Sequence, residues 1–300
     1  MQMKRERQRN AVSYHLLCDG LTLRAGGGTA LFAHAVARTV SGLVTHAHYA
    51  GAAQRADGVL SAAAFRRQLG VAISVDANPV AALFPPSLCA ADFEARWNAL
   101  DQASAFGVRT ALERFGAGDG AVRRVAGAGG REAACRAERM HQLLDLLSSR
   151  RPAAGVDDAR AILALCADLG AGGGATRDVL ERLHDDPGAS VDACAAAAGV
   201  SLRTLQRQLG RDGVRFAALK QAVRISLAGY RMRNRDESLT DTAMHAGFYD
   251  AAHMIHAWQQ ACGIRPAVYR SIARLPASGS RPAGDARAAA GDAGGACGPR

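Results

Sequence analysis

The chain has no apolar run of the eighteen or so residues that a membrane-crossing helix needs. The basic stretch Met1 to Asn10 leads into apolar residues that are cut at Asp19-Gly20, with neither a secretory core nor a small-residue cleavage site. Its seven cysteines (Cys18, Cys89, Cys135, Cys166, Cys194, Cys262 and Cys297) fall in no C-x-x-C or other zinc-like spacing. An odd, scattered set makes a poor disulfide framework, so most are expected as small buried hydrophobes. Cys297, in a Gly-rich tail, is the expected exposed thiol. A reducing compartment, and hence a cytoplasmic protein without a membrane partner, is expected. Catalytic signatures are missing as well. There is no G-x-S-x-G, no P-loop and no paired catalytic carboxylate, and Gly26-Gly27-Gly28 lacks the strand-G-x-G-x-x-G-helix frame.

What is present suits two domains with a core each: 300 residues, 49% of them hydrophobic. The formal net charge is +10 and the pI is near 9.8. Such a balance favours an anionic partner such as nucleic acid, although an Arg-, Ala- and Gly-rich composition also follows from a biased genome.

From Ala11 to Val75 short apolar runs separated by glycines read as strands: Tyr14-His15-Leu16-Leu17, Leu21-Thr22-Leu23 and Gly70 to Val75. From Asn78 the pattern turns helical. Phe93, Trp97 and Leu100 share one face of a helix starting near Asp92. A second helix is expected through Val108, Ala111, Leu112 and Phe115, and a third from Arg131 to Ser149 with Met140, Leu143, Leu144 and Leu147 inward. Arg150-Arg151-Pro152 should stop that helix. Asp157 to Leu169 reads as another, with Ile162, Leu165 and Leu169 as its stripe. Gly170-Ala171-Gly172-Gly173-Gly174 reads as a linker, and Thr176 as the cap of a short helix carrying Val179, Leu180 and Leu183. After Arg274 large apolar residues almost vanish, which predicts a disordered tail over 275–300.

The most informative residues lie near the C-terminus, in two similar patterns. In the first, Ser190 can cap a helix that buries Val191, Cys194, Ala195 and Ala198. Gly199 suits a left-handed helix end, and Ser201 caps a second helix in which Leu205 and Leu209 face inward. Arg203, Thr204, Gln206 and Arg207 are left outward. Arg can bond guanine O6 and N7 as a fork, and Gln can do the same to adenine. The second pattern runs from Ser238 through Ala246-Gly247-Phe248 and then from Tyr249 to Trp258. Tyr249, His253 and His256 are its candidate contacts. Paired short helices of this kind present one helix to the major groove of DNA. Between the patterns Phe216 to Asn234 reads as one long helix, with Phe216, Leu219, Val223 and Leu227 inward. Its cations, among them Lys220, Arg224 and Arg231, are candidate phosphate contacts. Ser190 to Arg274 holds twelve Lys plus Arg against six Asp plus Glu. Charge is concentrated where the motifs lie.

In this order the residues resemble the C-terminal domain of AraC-type (AraC/XylS) transcriptional regulators. The likeness rests on Ser201 to Leu209, the basic helix, Ala246-Gly247-Phe248, His253, and Gly263-Ile264-Arg265-Pro266-Ala267-Val268-Tyr269-Arg270. It covers nearly a third of the chain. The resemblance implies an all-α domain with two helix-turn-helix units on a linker helix, set into successive major grooves. Arg203, Gln206 and Arg207 would be the first head's base or phosphate contacts. The second head departs from the pattern. Ala251 and Ala252 stand where polar residues are common, Ile255 replaces a small polar residue, His256 replaces a usual Arg, and Thr242 and His245 occupy positions normally apolar. The first head is therefore expected to carry most specificity. Phe248, Met254, Trp258, Ile264 and Tyr269 read as core.

More loosely, Ala11 to Arg151 resembles the N-terminal domain of some of these regulators, in which a degenerate cupin-like β unit precedes helices. The expected fold class is thus α+β: a sensor or dimerisation domain over 1–169, a linker over 170–175 and the DNA-binding domain over 176–274. Double-stranded promoter or operator DNA is the expected partner. A small-molecule effector, RNA polymerase and a second copy of the chain complete the expected partners. No cofactor and no enzymatic activity are expected. The rivals are a metal- or cysteine-dependent enzyme with an appended DNA-binding domain and a non-specific architectural DNA binder. For the enzyme, His46-Ala47-His48 would place two imidazoles on one face of a strand, although Asp57 is the first acid that follows.

Overall fold

The computed structural model describes residues 11–24, 26–126, 134–149 and 160–275. The expected tail beyond 275, the helix stop at Arg150-Arg151-Pro152 and Cys297 lie outside the described residues. Among the described residues helices dominate, with two small antiparallel sheets of two strands each. No described helix is long and apolar enough to cross a membrane.

The strand-rich reading of Ala11 to Val75 is overturned. Among the described residues there, only β1 (Val12–Tyr14) and β2 (Leu43–Thr45) are strands, paired with Ser13 opposite Val44. The remainder forms α1 (His15–Thr22), α2 (Gly28–Val40), α3 (His46–Ala56) and α4 (Ala62–Ser74). Alanine, the best helix former, fills these segments. In α4 the apolar residues Phe65, Leu69, Ala72 and Ile73 fall at helical spacing and are buried. Gly70 to Val75, read alone, looks like a strand; it is the end of this helix. No cupin-like β unit forms among the described residues.

α5 (Ala90–Ala103) matches its expectation, burying Phe93, Trp97 and Leu100. The next expected helix is instead a strand. β3 (Val108–Glu113) pairs with β4 (Ala121–Ala126), Thr110 opposite Arg124. Its inward residues Thr110 and Leu112 alternate, and that period of two was hidden by Val108, Ala111 and Phe115, which also fit a helix. Trp97 Nε1–H donates to the Thr110 carbonyl at 2.8 Å and holds the hairpin on α5.

α6 (Ala134–Ser149) buries Met140, Leu143, Leu144 and Leu147. Beyond it lie α7 (Ala161–Asp168) and α8 (Gly174–Asp185). The glycine run between them is a tight turn within a core: Ala171 is fully buried, and its carbonyl accepts from Cys166 Sγ at 2.8 Å. Thr176 lies inside α8, whose N-cap is Gly173, and its hydroxyl bonds Asp212. The C-terminal helices are α9 (Val191–Ala197), α10 (Leu202–Arg211), α11 (Phe216–Asn234), α12 (Leu239–His245), α13 (Ala251–Cys262) and α14 (Pro266–Ala273).

Two hydrophobic cores result, and both draw on the two ends of the chain. One joins α1, α4, α5 and α6 to Phe248, Trp258 and Tyr269. The other joins Phe32 and Val36 of α2 to α7, α8 and the first pair of C-terminal helices. The long helix α11 serves both, giving Leu219 and Val223 to the second core and Ile225, Ala228 and Met232 to the first.

Charges are buried where these layers meet. His15 Nδ1 lies 2.7 Å from Asp19 and its Nε2 3.3 Å from Asp76, while His34 and Arg38 each reach Asp19 at 3.1 Å. Asp76 also accepts from the Tyr14 hydroxyl at 2.7 Å and from the Asn78 amide at 3.0 Å. Asn78 in turn donates to the Ala261 carbonyl of α13 at 2.8 Å. Burial alone would lower the His15 pKa, but the Asp76 and Asp19 carboxylates outweigh it and hold it at about 9. Burial opposes the Asp19 charge too, yet its bonds to His15 and His34 keep it well below the usual carboxylate range.

A pKa raised in the folded state gives stability that is complete below the unfolded value, about 6.5, and is lost as pH rises through the folded one. The depressed Asp19 keeps its contribution until strongly acidic pH. Thermal unfolding of the parent and of His15→Gln should therefore show a stability gap that is widest near pH 6 and narrows up to about pH 9.5. A gap independent of pH over that interval would contradict the assignment.

Candidate nucleic-acid interface

The first pair of helices is held by its caps. The Ala193 amide donates to Ser190 Oγ at 3.1 Å, and the Thr204 amide donates to Ser201 Oγ at 3.2 Å. Gly199 between them has φ 64°, and Gly247 in the second pair has φ 78°, the left-handed region that suits glycine at a helix end. In α10 Leu205 and Leu209 are buried, which turns Arg203, Gln206 and Arg207 fully outward and leaves Thr204 half-buried. None of Arg203, Gln206 and Arg207 has a side-chain hydrogen bond or ion pair among the described residues. Three long polar side chains thus line one exposed helix face with their donors uncommitted.

The second pair is built alike. Ser238 caps α12 through the Asp241 amide at 3.0 Å. The cap of α13 is Asp250, which accepts from the His253 amide at 2.7 Å, so this helix starts two residues later than the sequence pattern suggests. Met254, Ala257 and Trp258 face the core, and Ala252, His253, His256, Gln259 and Gln260 face outward. Tyr249, just ahead of the cap, is 85% exposed. His253 packs its ring against the edge of Phe248, and His256 Nε2 lies 3.0 Å from Gln260 Nε2. Thr242, at a position where an apolar residue was anticipated, is buried without cost because its hydroxyl donates to the Ser238 carbonyl at 2.9 Å. Gln259 and Gln260 escaped the sequence reading, which stopped the helix at Trp258. The Gly263 helix end was the signal that would have extended it.

The cations of α11 are placed differently from those of α10. Lys220 Nζ donates to the carbonyls of Gly188 and Ala189 at 2.9 and 2.7 Å. Arg224 donates to the Pro187 carbonyl at 3.1 Å and lies over the Phe248 ring. Arg231 forms a two-pronged pair with Glu237 at 2.7 and 2.6 Å. Burial lowers the pKa of both Lys220 and Arg224, whereas the bond to Glu237 raises that of Arg231. Lys220 and Arg224 therefore fasten the turn ahead of α9 to the linker helix. A Cβ on Gly247 would lie 2.6 Å from Pro187, so the second turn abuts the same segment. The turn of the second pair thus rests on the segment that leads into the first.

In the N-terminal half, His46 and His48 do not share a strand face. They lie two apart on α3, His46 buried against Ser13 at 3.1 Å and His48 exposed. No group of three or more metal-ligating side chains converges among the described residues.

Residues 194–272 match the model of a helix-turn-helix domain family, from within α9 through α14. The transcriptional activator NphR of a Rhodococcus species is 30% identical over 92 residues, which are 31% of this chain and 28% of the activator. The chain thus matches under a third of that relative's length. A crystal structure of a DNA-binding transcriptional dual regulator from Escherichia coli K-12 is similar at a TM-score of 0.32 and 14% identity, over 34% of this chain and 93% of the other.

The contrast between committed and uncommitted cations is measurable without DNA. Lys220→Met and Arg224→Met should each cost about 1–2 kcal/mol in urea unfolding, because each removes hydrogen bonds made by a charged group. Arg203→Ala and Arg207→Ala should stay within about 0.5 kcal/mol of the parent. Equal losses in the two sets would show that α11 holds no such clamp.

Proposed function

We propose that this chain, in which residues 194–272 are a helix-turn-helix domain of the AraC type, is a sequence-specific DNA-binding transcriptional regulator acting in the cytoplasm. The observation that carries the reading is the outward, unengaged row Arg203, Gln206 and Arg207 on a capped helix anchored by Leu205 and Leu209. Side chains of this kind can fork onto guanine and adenine edges from a helix laid in the major groove. Leu202 and Tyr249, apolar and exposed at the start of the two outward helices, suit contact with thymine methyl groups. In the second head His253 and His256 offer fewer and weaker donors than two arginines, so the first head carries most of the base specificity. Lys220, Arg224 and Arg231, engaged internally, contribute to DNA binding by fixing the heads and by their long-range charge. The N-terminal half over 1–169 senses a small molecule, pairs two copies of the chain, or does both, and RNA polymerase is the partner through which occupancy of a promoter acts.

Genome-wide mapping of binding sites, followed by titration of one recovered site against scrambled DNA, tests the reading. Selective binding should weaken steeply with salt through phosphate contacts. Arg203→Ala and Arg207→Ala should each relax the preference by about 1–3 kcal/mol, roughly 5- to 150-fold. Ala251→Gln should alter specificity less than Arg207→Ala does. Equal affinity for mapped and scrambled DNA would instead favour a non-specific architectural binder.

A further inference from the structure

The last four carbonyls of a helix have no partner within it, so its end is closed from outside. The two outward helices of the C-terminal half are closed differently. α10 is finished by its own continuation: the amides of Asp212, Gly213 and Val214 return to the carbonyls of Gln208, Leu209 and Gly210 at 3.1 to 3.3 Å. At the end of α13 the Gly263 amide donates to the Gln259 carbonyl at 2.9 Å. The Ala261 carbonyl, however, accepts from Asn78 Nδ2 at 2.8 Å, a side chain 183 residues away.

Asn78 is almost wholly buried, and its carboxamide is matched to what surrounds it. Nδ2 also faces the Arg38 carbonyl in the last turn of α2 at 3.3 Å, and Oδ1 accepts from the Val80 amide at 3.0 Å. An aspartate here would set its charge against two carbonyls, and a hydroxyl has only one proton to give. One side chain of the N-terminal half thus closes α13 and ties it to α2, which lies against α11 as well. The seat is tight. A Cβ on Gly42 would collide with the Ala261 carbonyl oxygen, and one on Gly263 would run into the Leu43 side chain. The pinned end is the far one from Tyr249 and the Asp250 cap, which open the helix. Twelve residues span about 18 Å, so a tilt of about 10° at the pin moves the other end by about 3 Å, the length of a hydrogen bond.

We infer that Asn78 is a positioning residue for the second head: from the N-terminal half it sets the tilt of α13, on which that head's contact with DNA depends. The first head, closed by its own chain, is independent of it. The assignment rests on the regulator reading above and adds that the second head is seated from outside the helix-turn-helix domain, which begins at residue 194.

The affinity of the full chain for a mapped site, for the same duplex cut short at the half facing α13, and for one cut short at the half facing α10 tests the assignment. The α10 half is the one whose base preference Arg207→Ala relaxes. In the parent, loss of the α13 half should weaken binding at least about tenfold. In Asn78→Ala that penalty should fall below about threefold, with the penalty for the α10 half unchanged. Asn98→Ala removes two hydrogen bonds between α5 and the Leu112 backbone, away from α13, and should leave both penalties as in the parent. Leu43→Ala, which loosens the seat at Gly263, should lower the α13 penalty too, and it decides the matter if Asn78→Ala does not fold. Without DNA, amide hydrogen exchange in the last turns of α13 should be at least about tenfold faster in Asn78→Ala and unaltered in Asn98→Ala. Penalties that shrink alike for both halves, an unchanged α13 penalty, or a parent that loses nothing without the α13 half overturn the assignment. If mapped and scrambled duplexes bind alike, the regulator reading falls; faster exchange confined to α13 then leaves the pin standing, and unaltered exchange overturns it as well.

Discussion

Two cations on one helix hold three consecutive carbonyls, those of Pro187, Gly188 and Ala189, and the relation between the two helix-turn-helix units depends on that clamp. A helix-turn-helix unit is too small to bury a core of its own, so its orientation comes from what it stands on. Here α11 supplies the stand. Its apolar faces enter both cores, and Lys220 and Arg224 fix the entry to the first head from the same surface. Phe248 of the second turn lies under Arg224, and Gly247 lies against Pro187. Charge on the linker helix thus serves geometry, while charge on α10 stays available at the surface.

The C-terminal half was legible because its signals are local. Ser190, Ser201 and Ser238 cap helices within three residues of themselves, and Gly199 and Gly247 mark turns by their own conformation. The bounds of α11 follow from the spacing of its apolar residues, and Phe248, Met254, Trp258, Ile264 and Tyr269, read as core beside the family resemblance, are buried. What α11 does with its cations was not legible, because a Lys on a helix looks the same whether it meets solvent or a carbonyl 32 residues away. The N-terminal half was misread for a different reason. Its alanines satisfy any period, so glycines and short apolar runs suggested strands where helix propensity prevailed. The β3 error is the converse: a true alternation of Thr110 and Leu112 was masked by neighbours that also fit a helix. The tie from Asn78 to Ala261 spans 183 residues and leaves no trace in local sequence.

The N-terminal half has a polar interior that a small helical domain could do without. His15, Asp19 and Asp76 are almost wholly buried, and such groups persist only when each is paired. The pairing joins α1 and α2 to the loop that carries Asn78, and Asn78 joins that loop to α13. His15 and Asp19 meet because their segment is a helix, which the strand reading of Tyr14 to Leu17 hid, and the arrival of Asp76 from beyond α4 had no local signal either.

Because α11 is a wall of both cores, severing the chain near the glycine turn would not release a self-sufficient C-terminal fragment. Such a piece would carry into water the apolar faces of α11, α13 and α14 that α2, α5 and the Pro79 loop now help to cover. It would also lose Phe32 and Val36 from the other side. An isolated fragment with so much uncovered apolar surface is a candidate for self-association, so the intact polypeptide is the smallest unit in which the heads keep their native footing.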